Sequence, residues 1–207
     1  LPVLIRSTSE KTMNEAVEKE GILSAESTSC AAFIAQSRFL KKCEKEQEDL
    51  EAQQDRVMRM TALMKSQRWR VPDDILAHNK MLISSVDALK SQIDIAVDQQ
   101  DGLNEKWVEW INKAIPDSRG DIANMGDLLR NPIIADVDHD MDTVITYLDE
   151  QDNEIEVLKK RAAAFQDWQG ELKVTVSEYD DLDDVVMDCT IKTKMWVGLK
   201  DFGEMTN

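Results

Sequence analysis

Asp136-Val-Asp138-His-Asp140-Met-Asp142 is the densest set of potential ligands in the chain. Alternating aspartates supply the first half of an EF-hand calcium loop, which also needs glycine at its sixth position and glutamate at its twelfth. Counted from Asp136, those positions hold Met141 and Tyr147. The aspartates therefore read as a charged, capped helix start, where carboxylates meet the positive end of the helix dipole. His78 and His139 have no partner at metal-ligand spacing, since neither H-x-x-x-H nor H-E-x-x-H occurs. There is no G-x-S-x-G nucleophile turn, no G-x-x-x-x-G-K-[ST] phosphate loop and no G-x-G-x-x-G. Arg119-Gly120-Asp121 spells an integrin-recognition tripeptide, for which chance is the better account in a chain that reads as intracellular. No catalytic, cofactor-binding or metal residue is assigned, and no small-molecule substrate is expected.

What the residues specify instead is helix packing. Leu82, Val86, Leu89, Ile93, Ala96, Gln100, Leu103, Trp107, Trp110 and Ala114 recur at alternating four- and three-residue steps. The rhythm returns from Val137 through Met141, Val144, Leu148, Gln151, Ile155, Leu158, Ala162, Phe165, Gln169, Leu172 and Val176 to Tyr179. A 3.5-residue repeat keeps one narrow stripe of a helix against its neighbour. A bundle enzyme with a di-metal centre would place inward Glu and Glu-x-x-His pairs on such seams. These seams carry Gln100, Gln151 and Gln169, and no Glu-x-x-His.

Bulk composition agrees. Of 207 residues, 32% are charged and only 7 are glycine and 4 proline, which favours long helices over strands and turns. A net charge of −16 argues against nucleic acid and against an anionic membrane surface. The excess is uneven: residues 134–207 hold 19 acidic side chains against 7 basic ones. A solvated acidic face is the simplest reading, and docking onto a basic partner the sharper one. Cys30, Cys43 and Cys189 form no C-x-x-C pair, which suggests unpaired thiols in a reducing compartment. No run of 18 apolar residues is present to span a bilayer. The absent initial Met and a helix pattern still running at Asn207 read as a segment of a longer polypeptide.

Punctuation marks the elements. Ser7-x-x-Glu10 has capping-box form and predicts a short helix from about Thr8 to Gly21, followed by a linker over 22–29 with a cap at Ser27 or Ser29. A long helix then runs to about Trp69 on Phe33, Leu40, Cys43, Leu50, Val57 and Met64. Gln47 and Gln54 interrupt that stripe and suggest packing at an edge or against an absent chain. Pro72 breaks the run, and Asp73 or Asp74 caps a second long helix reaching Ile115. Pro116-Asp117-Ser118-Arg119-Gly120 reads as the clearest turn, with a short helix from Asp121 to Arg130 after it. The third long helix is expected from Asp136, its phase running past Gly170. A last helix or continuation carries Leu182, Val186, Cys189 and Trp196. Residues 1–27, 28–69, 70–133 and 134–207 are thus a short helix with linker, a first long helix, a second with its turn, and a third with the C-terminal helix. The expected fold is all-α, one continuous, elongated, antiparallel bundle resembling spectrin repeats. Trp107, Trp110 and Trp168 read as core, whereas Trp196 and Phe202 are candidates to meet the rest of a longer chain.

One family shares an ordered set of these residues. Trp107-x-x-Trp110 is followed by Arg161-x3-Phe165-x2-Trp168-x3-Leu172. Tyr179-Asp-Asp-Leu182 and Lys194-Met-Trp196-x2-Leu199-x2-Phe202-x-Glu204 complete the series. This resembles the stem of dynein heavy chains just before the linker to the motor ring, and is slightly more similar to axonemal than cytoplasmic types. The resemblance covers residues 69–207, with Met195 standing where an aliphatic residue is common. It implies a structural, non-enzymatic segment of a microtubule motor, with ATP bound only in the parent's motor modules. It also implies as partners other heavy chains, intermediate and light chains or docking subunits, in the cytoplasm and cytoskeleton, the ciliary axoneme above all. The alternative is a spectrin- or plakin-like repeat of a cytoskeletal crosslinker.

Overall fold

The computed structural model describes residues 1–206, with side chains to residue 205. Helices account for all of its regular structure: α1 Pro2–Ser24, α2 Cys30–Ser66, α3 Asp73–Leu128, α4 Pro132–Ala135, α5 Met141–Glu171 and α6 Asp180–Thr206. No strand occurs among the described residues, so the fold is an all-α helical bundle. The chain divides into two compact units, Leu1–Glu105 and Lys106–Asn207. Helix α3 is long enough to be the last helix of the first unit and the first helix of the second.

In the first unit, cross-helix contacts fix the directions. Arg6 pairs with Asp74, and Glu10 lies 3.5 Å from His78 Nε2, so α1 and α3 run the same way. Thr12 meets Gln53 at 3.0 Å and Lys19 meets Glu46 at 2.8 Å, while Asn79 meets Thr61 at 2.9 Å and Lys90 meets Glu51 at 3.0 Å, placing α2 antiparallel to both. The seam buries Ile5, Ala16 and Leu23 of α1, Leu40, Cys43, Leu50, Val57 and Met64 of α2, and Ile75, Leu82, Val86, Leu89 and Ile93 of α3. Helix α2 therefore packs against two helices of its own chain, not at an edge. Its interrupting glutamines are only half-buried.

The second unit repeats the up-down-up order. Arg161 pairs with Asp121 at 2.7 Å, and the Tyr147 hydroxyl donates to the Leu128 carbonyl at 3.1 Å, which sets α5 antiparallel to α3. Lys200 meets Asp142 at 2.7 Å and Cys189 Sγ lies 3.9 Å from the Leu148 carbonyl, reversing α6 against α5. Seam positions Val144, Leu148, Gln151, Ile155, Leu158, Ala162, Phe165 and Gln169 are all buried, as their spacing requires.

Several expected boundaries move. Helix α1 begins six residues early, at Pro2, because proline suits a first helical position where its missing N–H would find no partner. Its early inward positions include Ser9 and Thr12, so a count of apolar residues passes over them. Ser7-x-x-Glu10 lies inside the helix and Gly21 does not end it. Ser29 does cap α2, accepting from Ala32 N at 3.2 Å.

The turn expected at Pro116–Gly120 is helix, and so is the separate segment expected from Asp121. A proline inside a helix costs about 3 kcal/mol. Against it stand Ile111, Ile115, Ile122 and Met125, buried on one stripe that crosses the proline without changing phase. Each such burial contributes roughly 1.5–3 kcal/mol, so the continuous helix wins. Trp110 belongs to the same revision: the inward stripe passes from Trp107 to Ile111, leaving Trp110 41% exposed.

Helix α5 starts at Met141, five residues after Asp136. The Asp136 carboxylate accepts from Asp138 N at 3.1 Å and holds a turn, which leaves Val137 73% exposed. At the other end Gly170 stays helical, but Leu172 caps the helix and Lys173 takes a left-handed φ of 58°. Val174 N donates to Gln169 O at 3.0 Å and Lys173 N to Gly170 O at 3.2 Å, a Schellman closure. Helix α2 ends the same way around Arg68, with φ 55°. The heptad phase thus outruns the helix, and Val176 is exposed.

Candidate interaction surface

The polar constellations that stand out in the sequence are occupied by structural contacts. Asp140 caps α5, accepting from Thr143 N at 2.9 Å and Thr143 Oγ1 at 2.6 Å, and these bonds hold its carboxyl below the usual range. Asp142 is taken by Lys200. His139 Nδ1 lies 3.9 Å from Asp136, while His78 Nδ1 sits 2.7 Å from the Asp74 carbonyl; the two histidines belong to different units. Arg119 donates to the Glu178 carbonyl at 3.0 Å and lies over the Tyr179 ring, whereas Asp121 is committed to Arg161. The Arg-Gly-Asp tripeptide is thus an exposed helical stretch whose two charged side chains are both engaged within its own unit. Among the described residues no three His, Cys, Asp or Glu side chains are grouped to hold a metal ion.

All three cysteines are unpaired and buried. Burial pushes the Cys30 thiol up to about 11 and raises Cys43 and Cys189, so the nucleophilic thiolate is scarce at neutral pH. Lys19 is the one ammonium buried in the first unit's seam. Burial lowers its pKa, but the hydrogen bonds it donates to Glu15 at 2.7 Å and Glu46 at 2.8 Å outweigh that and raise it.

Two apolar features stand out on the surface of the second unit. Trp110 stands edge-on to Trp107 at 6.0 Å and to Phe165 at 6.2 Å, and Trp168 lies 5.6 Å from Phe165. This cluster is largely used up in clamping α3 to α5. A shallow groove between the same helices, floored by Met125, Leu128, Val157 and Leu158, is crossed by the Asp121–Arg161 pair.

The larger feature is α6. Its inner side is Leu182, Val185, Cys189 and Trp196. Trp196 is fully buried, and its Nε1 donates to the Ile134 carbonyl at 3.1 Å, so it serves its own unit and not a distant part of a longer chain. On the opposite side Met187, Ile191 and Met195 are 61%, 59% and 48% exposed. Two apolar stripes on one helix explain why residues 180–206 show no clean phase in the sequence. Resolving the pattern into two rows, one through Leu182, Val185, Cys189 and Trp196 and one at four-residue steps from Met187, would have found the outer one.

No family model matches the chain. It is similar to a stretch of dynein axonemal heavy chain 6 of Homo sapiens, 21% identical over 191 residues. Those residues are 92% of this chain and 5% of that protein, so the chain spans about a twentieth of its relative's length. The likeness points to a dynein-related helical region. No described helix is long and apolar enough to cross a membrane.

Proposed function

We propose that this chain is a stem segment of a dynein heavy chain, a non-catalytic spacer that transmits force and carries assembly surfaces. The observation that carries the reading is the span of the likeness, which runs over 92% of the chain and so through both units. The physics suits the task. A close-packed helical unit is nearly incompressible along its seams, so load applied at one end of a helix is passed on instead of being absorbed. ATP would be bound and hydrolysed elsewhere in the parent polypeptide. Partners would be other heavy chains and the intermediate, light or docking subunits of a cytoskeletal complex, with the ciliary axoneme the favoured setting.

The parent coding sequence tests this directly. AAA-type phosphate loops following these residues in the same polypeptide are the expected result, and their absence from a full-length parent would refute the proposal. A second reading has its own support: α3 ends one three-helix unit and begins the next, the arrangement a spectrin- or plakin-like crosslinker would use. Further units of roughly a hundred residues on either side would favour that reading.

A further inference from the structure

We propose that the outer stripe of α6 is the docking surface for one basic amphipathic helix of a partner protein. Met187, Ile191 and Met195 are spaced at i, i+4 and i+8, which puts them on one arc of about 80° at 100° per residue. That is the anchor spacing by which one helix receives another. Two of the three are methionine, whose flexible thioether adapts to a partner surface, and none turns toward its own bundle.

Charge selects the occupant. Asp180, Asp181, Asp183 and Asp184 precede the stripe, and Asp201 and Glu204 follow it, all exposed. Lysines on the helix do not balance them: Lys192 is held by Asp188 and Lys200 by Asp142, each at 2.7 Å, leaving Lys194. The first-turn aspartates also favour the helix dipole, yet that role accounts for neither the C-terminal carboxylates nor the apolar row between the two groups. A second copy of this chain would bring carboxylates against carboxylates, and an anionic lipid surface would be repelled. A helix with apolar residues along one face and Lys or Arg beside them meets both features. The inference rests on the assembly role proposed above and gives that role a surface and a partner chemistry.

The 207-residue chain tests it against two synthetic helical peptides. Both carry leucine at three- and four-residue spacing; one is flanked by lysine and arginine, the other by glutamate. Fluorescence anisotropy should show the basic peptide binding at least about tenfold tighter than the acidic one, weakening as salt rises. The triple variant Met187→Gln, Ile191→Gln, Met195→Gln changes only exposed positions, and its thermal melt should match the parent's. It should lose about tenfold or more in affinity, whereas Leu128→Gln with Val157→Gln, in the α3–α5 groove, should bind as the parent does. Equal binding of both peptides, no binding, or an unaffected triple variant would overturn the proposal. So would sedimentation showing a dimer that the triple variant abolishes, because the occupant would then be a second copy. Failure here leaves the stem reading standing, since that reading is decided by the parent sequence.

Discussion

The two units share an up-down-up order of helices and build it from different materials. Leu1–Glu105 carries 18 acidic and 14 basic residues, while Lys106–Asn207 carries 23 and 11. The first unit ties its helices with pairs of polar side chains inside or beside the seam. Asn79 Nδ2 donates to Thr61 Oγ1 at 2.9 Å, Gln100 Nε2 to Ser37 Oγ at 2.9 Å, and Lys19 joins Glu15 and Glu46. The second unit uses large aromatic rings and sends long side chains to backbone carbonyls near helix ends. Trp196 reaches Ile134 O, Lys192 reaches Leu129 O at 2.8 Å, and Tyr147 reaches Leu128 O. The reason lies in the connections. Between α3 and α5 the chain turns twice around the four-residue α4, which leaves carbonyls without helical partners, and each must find a donor. In the first unit Gln36 does most of this for the end of α1, donating to Leu23 O and Ala25 O at 2.9 Å, with Gln92 reaching Leu23 O at 3.5 Å. Both units are held mainly by apolar burial; the second adds large aromatic rings, and the first adds polar pairs along a seam of smaller side chains.

Trp196→Ala is the strongest way to separate the two. It opens a cavity where the largest fully buried side chain stood and strands the Ile134 carbonyl, so about 3–5 kcal/mol should be lost. Denaturant unfolding followed by hydrogen exchange should place that loss in residues 106–206, with protection of Leu82–Ile93 amides unchanged. Equal loss in both stretches would mean that the units unfold as one.

Lys19→Met should act in the opposite unit, and mostly through pH. Two charge-assisted hydrogen bonds disappear while the cost of burying an ammonium is relieved, for a net loss of about 1–2 kcal/mol at pH 7. The Lys19 hydrogen bond holds the Glu46 carboxyl below its usual 4.5, so its contribution is complete above that pH and fades as pH falls through the lowered value. Lys19 itself is raised above 10.5, so its share persists below that pH and is lost only on stronger alkalinisation. Stability measured from pH 3 to 7 should therefore rise more steeply in the parent than in Lys19→Met, and identical slopes would remove the network from the account.

Gln169→Ala tests the second unit's own polar contact. The buried amide donates to Ser177 Oγ at 3.0 Å and accepts from Ser177 N at 2.9 Å, tying the end of α5 to the approach of α6. About 1–2 kcal/mol should go, read as a lower midpoint for unit-two probes alone. The smallest effect expected is for Ser29→Ala, about 1 kcal/mol, from the lost cap of α2, and it should appear as fraying near Cys30–Ile34.

Some of this organisation is legible without coordinates. The stripes Leu82–Ile93 and Val144–Gln169 are inside because their spacing allows a helix no other way to bury them. Ser29 and Pro72 mark real boundaries because caps and prolines act within one turn of themselves. Only the tertiary structure decides the contests between comparable local signals. Pro116 predicts a break, and it is overruled by the summed burial of isoleucines whose partners lie dozens of residues away. The heptad phase beyond Leu172 predicts more helix, and a Schellman closure at Lys173 ends it. Along α6 two apolar rows compete for the core, and the sequence ranks neither. The row with Trp196 lies inside because α4 presents the Ile134 carbonyl to its indole, and Met187, Ile191 and Met195 are left facing outward as a consequence. Spacing determines which residues share a face; which face turns inward depends on what stands opposite.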